Sequence, residues 1–208
     1  MSLGKTIFAM TYDRMSRGSE RAGMREIRHG LLTDASGDVL EIGGGTGANL
    51  GYYGAGVASL TITEPEPPML KRLERKAREQ NSRATVLRAP AEDLPFEDAS
   101  FDAVVSTLVL CGVDDQPRAV RELRRVLRPG GRLIFIEHVR SDDPRVAKMQ
   151  NRMNPLNRFM VCCDCNRPTL ETIRSAGFGV TALEQTELPK APPFVRPLIV
   201  GTATAPVA

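Results

Sequence analysis

The sequence contains no tryptophan, and only three tyrosines and seven phenylalanines. Its core must therefore be built from branched aliphatic residues, alanine and methionine. Histidine is scarcer still, with His29 and His138 alone, which leaves little imidazole for a metal site or for proton transfer. Neither sign of charge dominates: 28 Lys and Arg against 25 Asp and Glu give +3, too small a surplus for a nucleic-acid-binding chain. No apolar run approaches the ~18 to 20 residues that cross a bilayer. The first ten residues lack the basic start and long apolar core of a secretory leader. These absences lead to the expectation of a cytoplasmic protein with no integral membrane segment. Cysteine is also sparse, and Cys162, Cys163 and Cys165 cluster without the separated pairs of a zinc site. No metal is expected; Cys111 and the cluster read as reduced thiols lining a cleft. The length of 208 residues suits one domain, 1–208, burying about 70% of its unfolded surface.

What the chain does have is glycine in one telling place. The run Val39-Leu40-Glu41-Ile42-Gly43-Gly44-Gly45-Thr46-Gly47 is a short apolar strand ending in an acid and four glycines, where a helix should start. Gly43, Gly44, Gly45 and Gly47 would let a ligand lie against the backbone, and the amides opening the next helix would bind it. Gly43-x-Gly45-x-x-Ala48 with Glu64, 21 residues after Gly43, also satisfies a dinucleotide fingerprint, so a nicotinamide cofactor is one reading. Glu41 argues against it. An acid at the strand end would repel a pyrophosphate but attract a ligand bearing an ammonium and a sulfonium, as S-adenosylmethionine does. Glu64, followed by Pro65, closes a second apolar run and offers a carboxylate to both hydroxyls of a ribose.

Downstream, Ala91-Glu92-Asp93-Leu94-Pro95-Phe96, the strand Ala103 to Ser106, and Arg128-Pro129-Gly130-Gly131 follow in order. With the glycine turn, these motifs resemble the class I S-adenosylmethionine-dependent methyltransferases of the methyltransferase domain 11 type. The resemblance implies that Ala91 and Glu92 border the adenine, that Thr107 and Leu108 offer backbone carbonyls to the methionine ammonium, and that Tyr12 folds over the cofactor. The product would be S-adenosylhomocysteine. Ser106 to Cys111, Glu137-His138-Val139, Cys165 to Thr169 and Ala176-Gly177-Phe178 narrow the resemblance to the methyltransferase-like thiol S-methyltransferases, over residues 36 to 203. Known members of that group carry an amino-terminal membrane anchor; this sequence shows none, so at most peripheral membrane contact is expected.

Alternating apolar strands and helical patterns predict βαβ units and a parallel sheet with helices on both faces. Strands are expected near 38–42, 58–63, 84–88, 101–106, 131–138, 178–187 and 196–204. Helices are expected over 67–80, with Met69, Leu70, Leu73 and Ala77 inward, and over 117–127, whose Arg118, Arg121, Arg124 and Arg125 read as a solvated face. The family resembled implies a Rossmann-like, doubly wound, seven-stranded, mostly parallel sheet ending in an antiparallel hairpin. Ligands in such sheets sit beyond the carboxyl ends of the strands.

The chemistry implied is in-line displacement at an activated methyl group, for which the protein mainly supplies alignment. His138, at the end of the fifth strand, is the candidate proton acceptor or substrate orienter, with a structural histidine as its rival. Residues 1–30 and 141–167 should cover the cleft. Within the second, Val146, Met149, Met153, Leu156 and Met160 recur at helical spacing, either packing a lid on the core or, with Cys111, forming an apolar wall for a lipophilic acceptor. Pro155 should interrupt that helix. The acceptor is expected to be a small lipophilic molecule, with a thiol as the candidate; quinone or phospholipid methylation, a nicotinamide-dependent oxidoreductase and a non-catalytic S-adenosylmethionine-binding module are the alternatives. The sequence does not fix an oligomeric state.

Overall fold

Seven strands, β1 (Gly37–Ile42), β2 (Val57–Thr63), β3 (Thr85–Leu87), β4 (Phe101–Thr107), β5 (Leu127–His138), β6 (Gly179–Glu187) and β7 (Pro197–Thr204), form one sheet in the order β3-β2-β1-β4-β5-β7-β6. The computed structural model describes the backbone of residues 3–207 and the side chains of Ala9 and of residues 11–207. β1 pairs in parallel with β2 on one side and β4 on the other, while β7 runs antiparallel to both β5 and β6. The order reverses at β1 and β4, the switch point where the carboxyl ends open a crevice.

Side-chain alternation along β1 divides the protein. Leu40 and Ile42 join Val104, Leu133 and Phe135 beneath Ala119, Val120 and Leu123 of α4 (Gln116–Val126) and Ile173 of α6 (Thr169–Ser175). Val39, with Ala103, Val105 and Ile134, packs on the other face against Leu32 of α2 (Arg25–Leu32). Helices thus cover both faces. α1 (Leu3–Ser19) meets α2 through a kinked turn at Glu20–Met24, where Gly23 takes a φ of +142°. Helix α3 (Pro67–Glu79) buries Met69, Leu73 and Ala77 as the periodicity predicts.

The structure corrects two local expectations. No helix opens after the glycine turn: residues 45–52 form successive turns, with Gly47 N–H donating to Gly44, Leu50 to Gly47 and Tyr52 to Asn49. Positive φ values at Gly43, Gly45 and Gly47 break any helical run, and Gly51 and Gly54 follow closely. Second, α5 (Pro144–Val161) continues through Pro155. The residue four positions earlier, Asn151, is exposed, so water can satisfy the carbonyl that loses its partner.

Candidate functional site

The glycine turn is a cradle with no room for side chains. A Cβ on Gly43, whose φ is +56°, would lie 2.7 Å from both methyls of Val109, and one on Gly44 would lie 2.3 Å from Ile62. At the end of β2, Glu64 is fixed by backbone: Gly45 N–H donates to one carboxylate oxygen at 2.8 Å and Glu66 N–H to the other at 2.9 Å. Burial raises its pKa against those two bonds. The carbonyl of the next residue, Pro65, accepts from Arg88 at 3.1 Å.

Glu41 is only 2% exposed and belongs to a buried network. It accepts from Asn49 at 2.9 Å and from the Tyr53 hydroxyl at 2.6 Å. Asn49 also donates to the Thr107 hydroxyl at 2.9 Å, and its own oxygen accepts from Arg28 at 2.7 Å. Arg28 in turn pairs with Glu20 at 3.1 Å. Burial pushes Glu41 up to about 7, outweighing Tyr53 and Asn49. A carboxyl poised there gives up its proton readily when a cation approaches. Arg28, Asn49 and Tyr53 follow no periodic pattern, and the sequence reading did not single them out.

Helix α1 is tied across the turn. Asp13 accepts from the Thr46 hydroxyl at 2.6 Å and from Arg72 of α3 at 2.9 Å. Burial raises the Asp13 pKa, but these two partners bring it below the ordinary value. Tyr12 beside it has Arg28, Glu20 and Cys111 as electrostatic neighbours, and burial raises its phenol. A groove of about 220 Å³ lined by Tyr12, Asp13, Thr46, Ala48, Tyr52 and Lys76 runs under α1. A larger groove, about 560 Å³, lies between the start of α5, α6 and the β6–β7 hairpin, beside the end of β5.

On the other side of the crevice Ala91 is buried and Glu92 accepts from the Asp114 and Asp115 amides at 2.7 and 3.3 Å. The loop 94–98 is clamped by Arg125, which donates to the Leu94 carbonyl at 3.0 Å, the Phe96 carbonyl at 2.7 Å and Asp98 at 2.8 Å. Glu122 holds Arg125 and accepts from the Leu94 amide at 3.0 Å. Arg125 is thus a half-buried clamp and not part of a solvated arginine face.

At the ends of β4 and β5, Thr107 and Leu108 are half-buried, and Leu108 has a φ of +59°. His138 is 5% exposed, and its Nδ1 is buried without a hydrogen-bond partner. Burial pushes its pKa down to about 4, outweighing hydrogen bonds to the backbone of Val195 and Pro197. It is neutral at physiological pH.

Cys111, Cys163 and Cys165 form a buried cluster with Val161 and Phe194, whereas Cys162 is exposed. The Cys163 contact and burial raise the Cys111 thiol, and burial pushes Cys165 up to about 12. Among the described residues no group of three or more His, Cys, Asp or Glu is arranged to hold a metal ion.

Polar side chains dock α5. Gln150 donates to the Val139 and Cys165 carbonyls at 2.9 and 2.7 Å, Asn154 to Asp164 at 2.7 Å, and Asn157 to the Cys163 carbonyl at 2.7 Å. The methionine stripe lies beside this face: Met149 and Met153 are half-buried, but Leu156 and Met160 are exposed. The helix therefore packs through amides, not through the whole apolar stripe.

Three comparisons bear on this arrangement. Residues 40–135 match the family described as the methyltransferase domain. The human thiol S-methyltransferase TMT1B is 39% identical over 83% of this chain and 73% of its own length. Human TMT1A is 30% identical over 94% of this chain and 82% of its own. Quinone and phosphatidylethanolamine methyltransferases align over shorter spans. The fold is similar to that of an S-adenosylmethionine-dependent methyltransferase from Thermotoga maritima, with a TM-score of 0.73 and 22% identity over 99% of this chain and 100% of that one. Among the described residues no helix is long and apolar enough to cross a membrane. A glycine cradle beside buried acids suits a nucleoside with a cationic tail, and the chain belongs to the S-adenosylmethionine-dependent methyltransferases of the methyltransferase-domain family.

Proposed function

We propose that this methyltransferase acts on a small lipophilic acceptor, with thiols as the preferred class, and that residues 1–208 work as one domain covered by segments 1–30 and 141–167. The observation that carries the reading is the pair of buried acids at adjacent strand ends, Glu41 at 2% and Glu64 at 5% exposure, beside a turn too tight for side chains. In this reading Gly43, Gly44, Gly45 and Gly47 admit the cofactor to the backbone, and Glu64 with Pro65 takes the ribose. Ala91 and Glu92 border the adenine. Glu41, Thr107 and Leu108 face the methionine end, and Tyr12 closes over it. When bound, S-adenosylmethionine supplies an activated sulfonium methyl group that the acceptor displaces in line.

The chain's own share is alignment and exclusion of water. A thiol, with a reference pKa near 8.5, needs little help to ionise, whereas an alcohol needs a strong base. His138, at about 4, is a weak base, and its role here is to orient the acceptor and the start of β7. Met149 and Met153 offer soft, apolar surface to the acceptor, with the buried Cys111 behind it. The likeness to thiol S-methyltransferases supports the sulfur preference. Four free thiols fit a reducing compartment such as the cytoplasm.

Steady-state assays with alkyl and aryl thiols and hydrogen sulfide, against matched phenols and amines, test the proposal. Thiols should be turned over fastest. A preference for oxygen or nitrogen acceptors rejects it, and activity confined to vesicle-bound quinones or phospholipids favours that class instead.

A further inference from the structure

Leu108 holds a left-handed φ of +59° immediately after β4, a conformation that is unfavourable for a side chain with a Cβ. Its own N–H remains in the sheet, donating to the Ile136 carbonyl at 2.7 Å, so the backbone reverses within one residue. The next two amides converge on one atom. Val109 and Leu110 N–H both donate to Glu137 Oε1, at 3.1 and 3.2 Å, and the Ser106 hydroxyl donates to the same oxygen at 2.6 Å. Glu137 is fully buried and reaches from β5 across to the end of its neighbour β4.

An acid is an expensive way to hold a turn, since burial pushes Glu137 up to about 7 against the Ser106, Val109, Leu110 and Cys111 bonds. What the charge adds is a stronger grip on successive amides. The grip has a geometric consequence. The peptide bond is planar and the described residues contain no cis bond, so with Val109 N–H aimed inward at Glu137, the Leu108 carbonyl must point the opposite way. The Val109 carbonyl is already occupied, accepting from Gly112 at 2.7 Å and Val113 at 3.2 Å. The Val109 side chain meanwhile closes the turn against Gly43.

We propose that Glu137 is a positioning residue for the methyl donor: its hold on the Val109 and Leu110 amides turns the Leu108 carbonyl outward to receive the donor's ammonium group. This rests on the reading that Leu108 faces the methionine end of the cofactor. Removing the charge while keeping the shape should loosen the amino-acid end of the ligand and leave the nucleoside end alone.

Calorimetry on the full chain with S-adenosylmethionine, S-adenosylhomocysteine and 5′-methylthioadenosine, which has no amino-acid tail, tests this. Glu137→Gln should weaken both tailed ligands about tenfold while 5′-methylthioadenosine stays within about twofold. Hydrogen exchange at Val109 and Leu110 should quicken. Ser106→Ala, a milder change that decides the matter if Glu137→Gln does not fold, should give the same ligand pattern at about two- to threefold. Unchanged affinity for the tailed ligands, or an equal loss for all three, overturns the proposal. If the unsubstituted protein binds 5′-methylthioadenosine as tightly as the tailed ligands, the placement of the methionine end is what fails.

Discussion

The strand rim and the helices that cover it are held by different kinds of contact. At the rim, two acids are gripped by the backbone, Glu64 by the Gly45 and Glu66 amides and Glu137 by Val109 and Leu110, while Glu41 is held by the Asn49 and Tyr53 side chains. Over it, α1 and α5 are fastened by side chains, Asp13 to Thr46 and Arg72, and Gln150, Asn154 and Asn157 to the segment 163–165 and its neighbours. Backbone contacts are fixed by sheet register and depend little on which residues flank them. Side-chain latches depend on identity, so on the proposed reading the cover is where acceptor preference would change with the cofactor rim intact.

The largest break in this contrast should come from Gly43→Ala. Its strained φ costs about 1 to 2 kcal/mol, and the collision with Val109 adds about 1 to 3 kcal/mol. Thermal melts should show a markedly less stable protein with S-adenosylmethionine binding lost; wild-type melting and binding would contradict the cradle. Arg28→Met comes next, since it leaves the buried Asn49 oxygen without its partner and the half-buried Glu20 unpaired, at about 1 to 3 kcal/mol. Chemical denaturation measures it, and a neutral outcome would show that the network does not hold α2 to the rim.

The buried rim groups also set a pH dependence. Glu41 and Glu137 titrate near 7 when folded, above their ordinary 4.5, so between those values the folded state keeps protons that the unfolded state releases. Their effect is a stability that declines as pH rises towards and through 7. His138 works the other way, since its folded value of about 4 lies below 6.5 and stability is lost as pH falls through that window. Above 6.5 the two acids outweigh the remaining titration of His138, so the ligand-free protein should melt a few degrees higher at pH 6.5 than at pH 8. A melting temperature that climbs over this range would show the acids to be ionised already.

Smaller effects belong to the cover. Asp13→Asn should weaken cofactor binding a few-fold with stability changed by less than about 1 kcal/mol, because that side chain is 46% exposed. Met160→Ser, at a residue 61% exposed, should leave stability within about 0.5 kcal/mol. A change in thiol turnover in that variant, measured beside an unchanged melt, would assign the outer half of α5 to acceptor contact.

The same contrast explains what was legible in the sequence. Strand periodicity, the glycine turn and the two strand-end acids depend on local spacing, and they lead to the sheet and to the convergence of Glu41, Glu64 and Thr107. Arg28, Asn49, Tyr53 and Arg125 act through side-chain bonds to residues as far as 58 positions away, and no period marks them. The helix expected after Gly47 is interrupted by glycines at positive φ, and α5 runs on through Pro155 because the Asn151 carbonyl that loses its partner is exposed to water.

Titrating S-adenosylmethionine and S-adenosylhomocysteine into the protein between pH 5.5 and 7.5 tests whether the buried rim acid Glu41 recognises a cationic methyl donor. As Glu41 ionises, affinity for the sulfonium-bearing donor should rise several-fold more than affinity for its neutral-sulfur product. Parallel or flat pH profiles for the two ligands would contradict it.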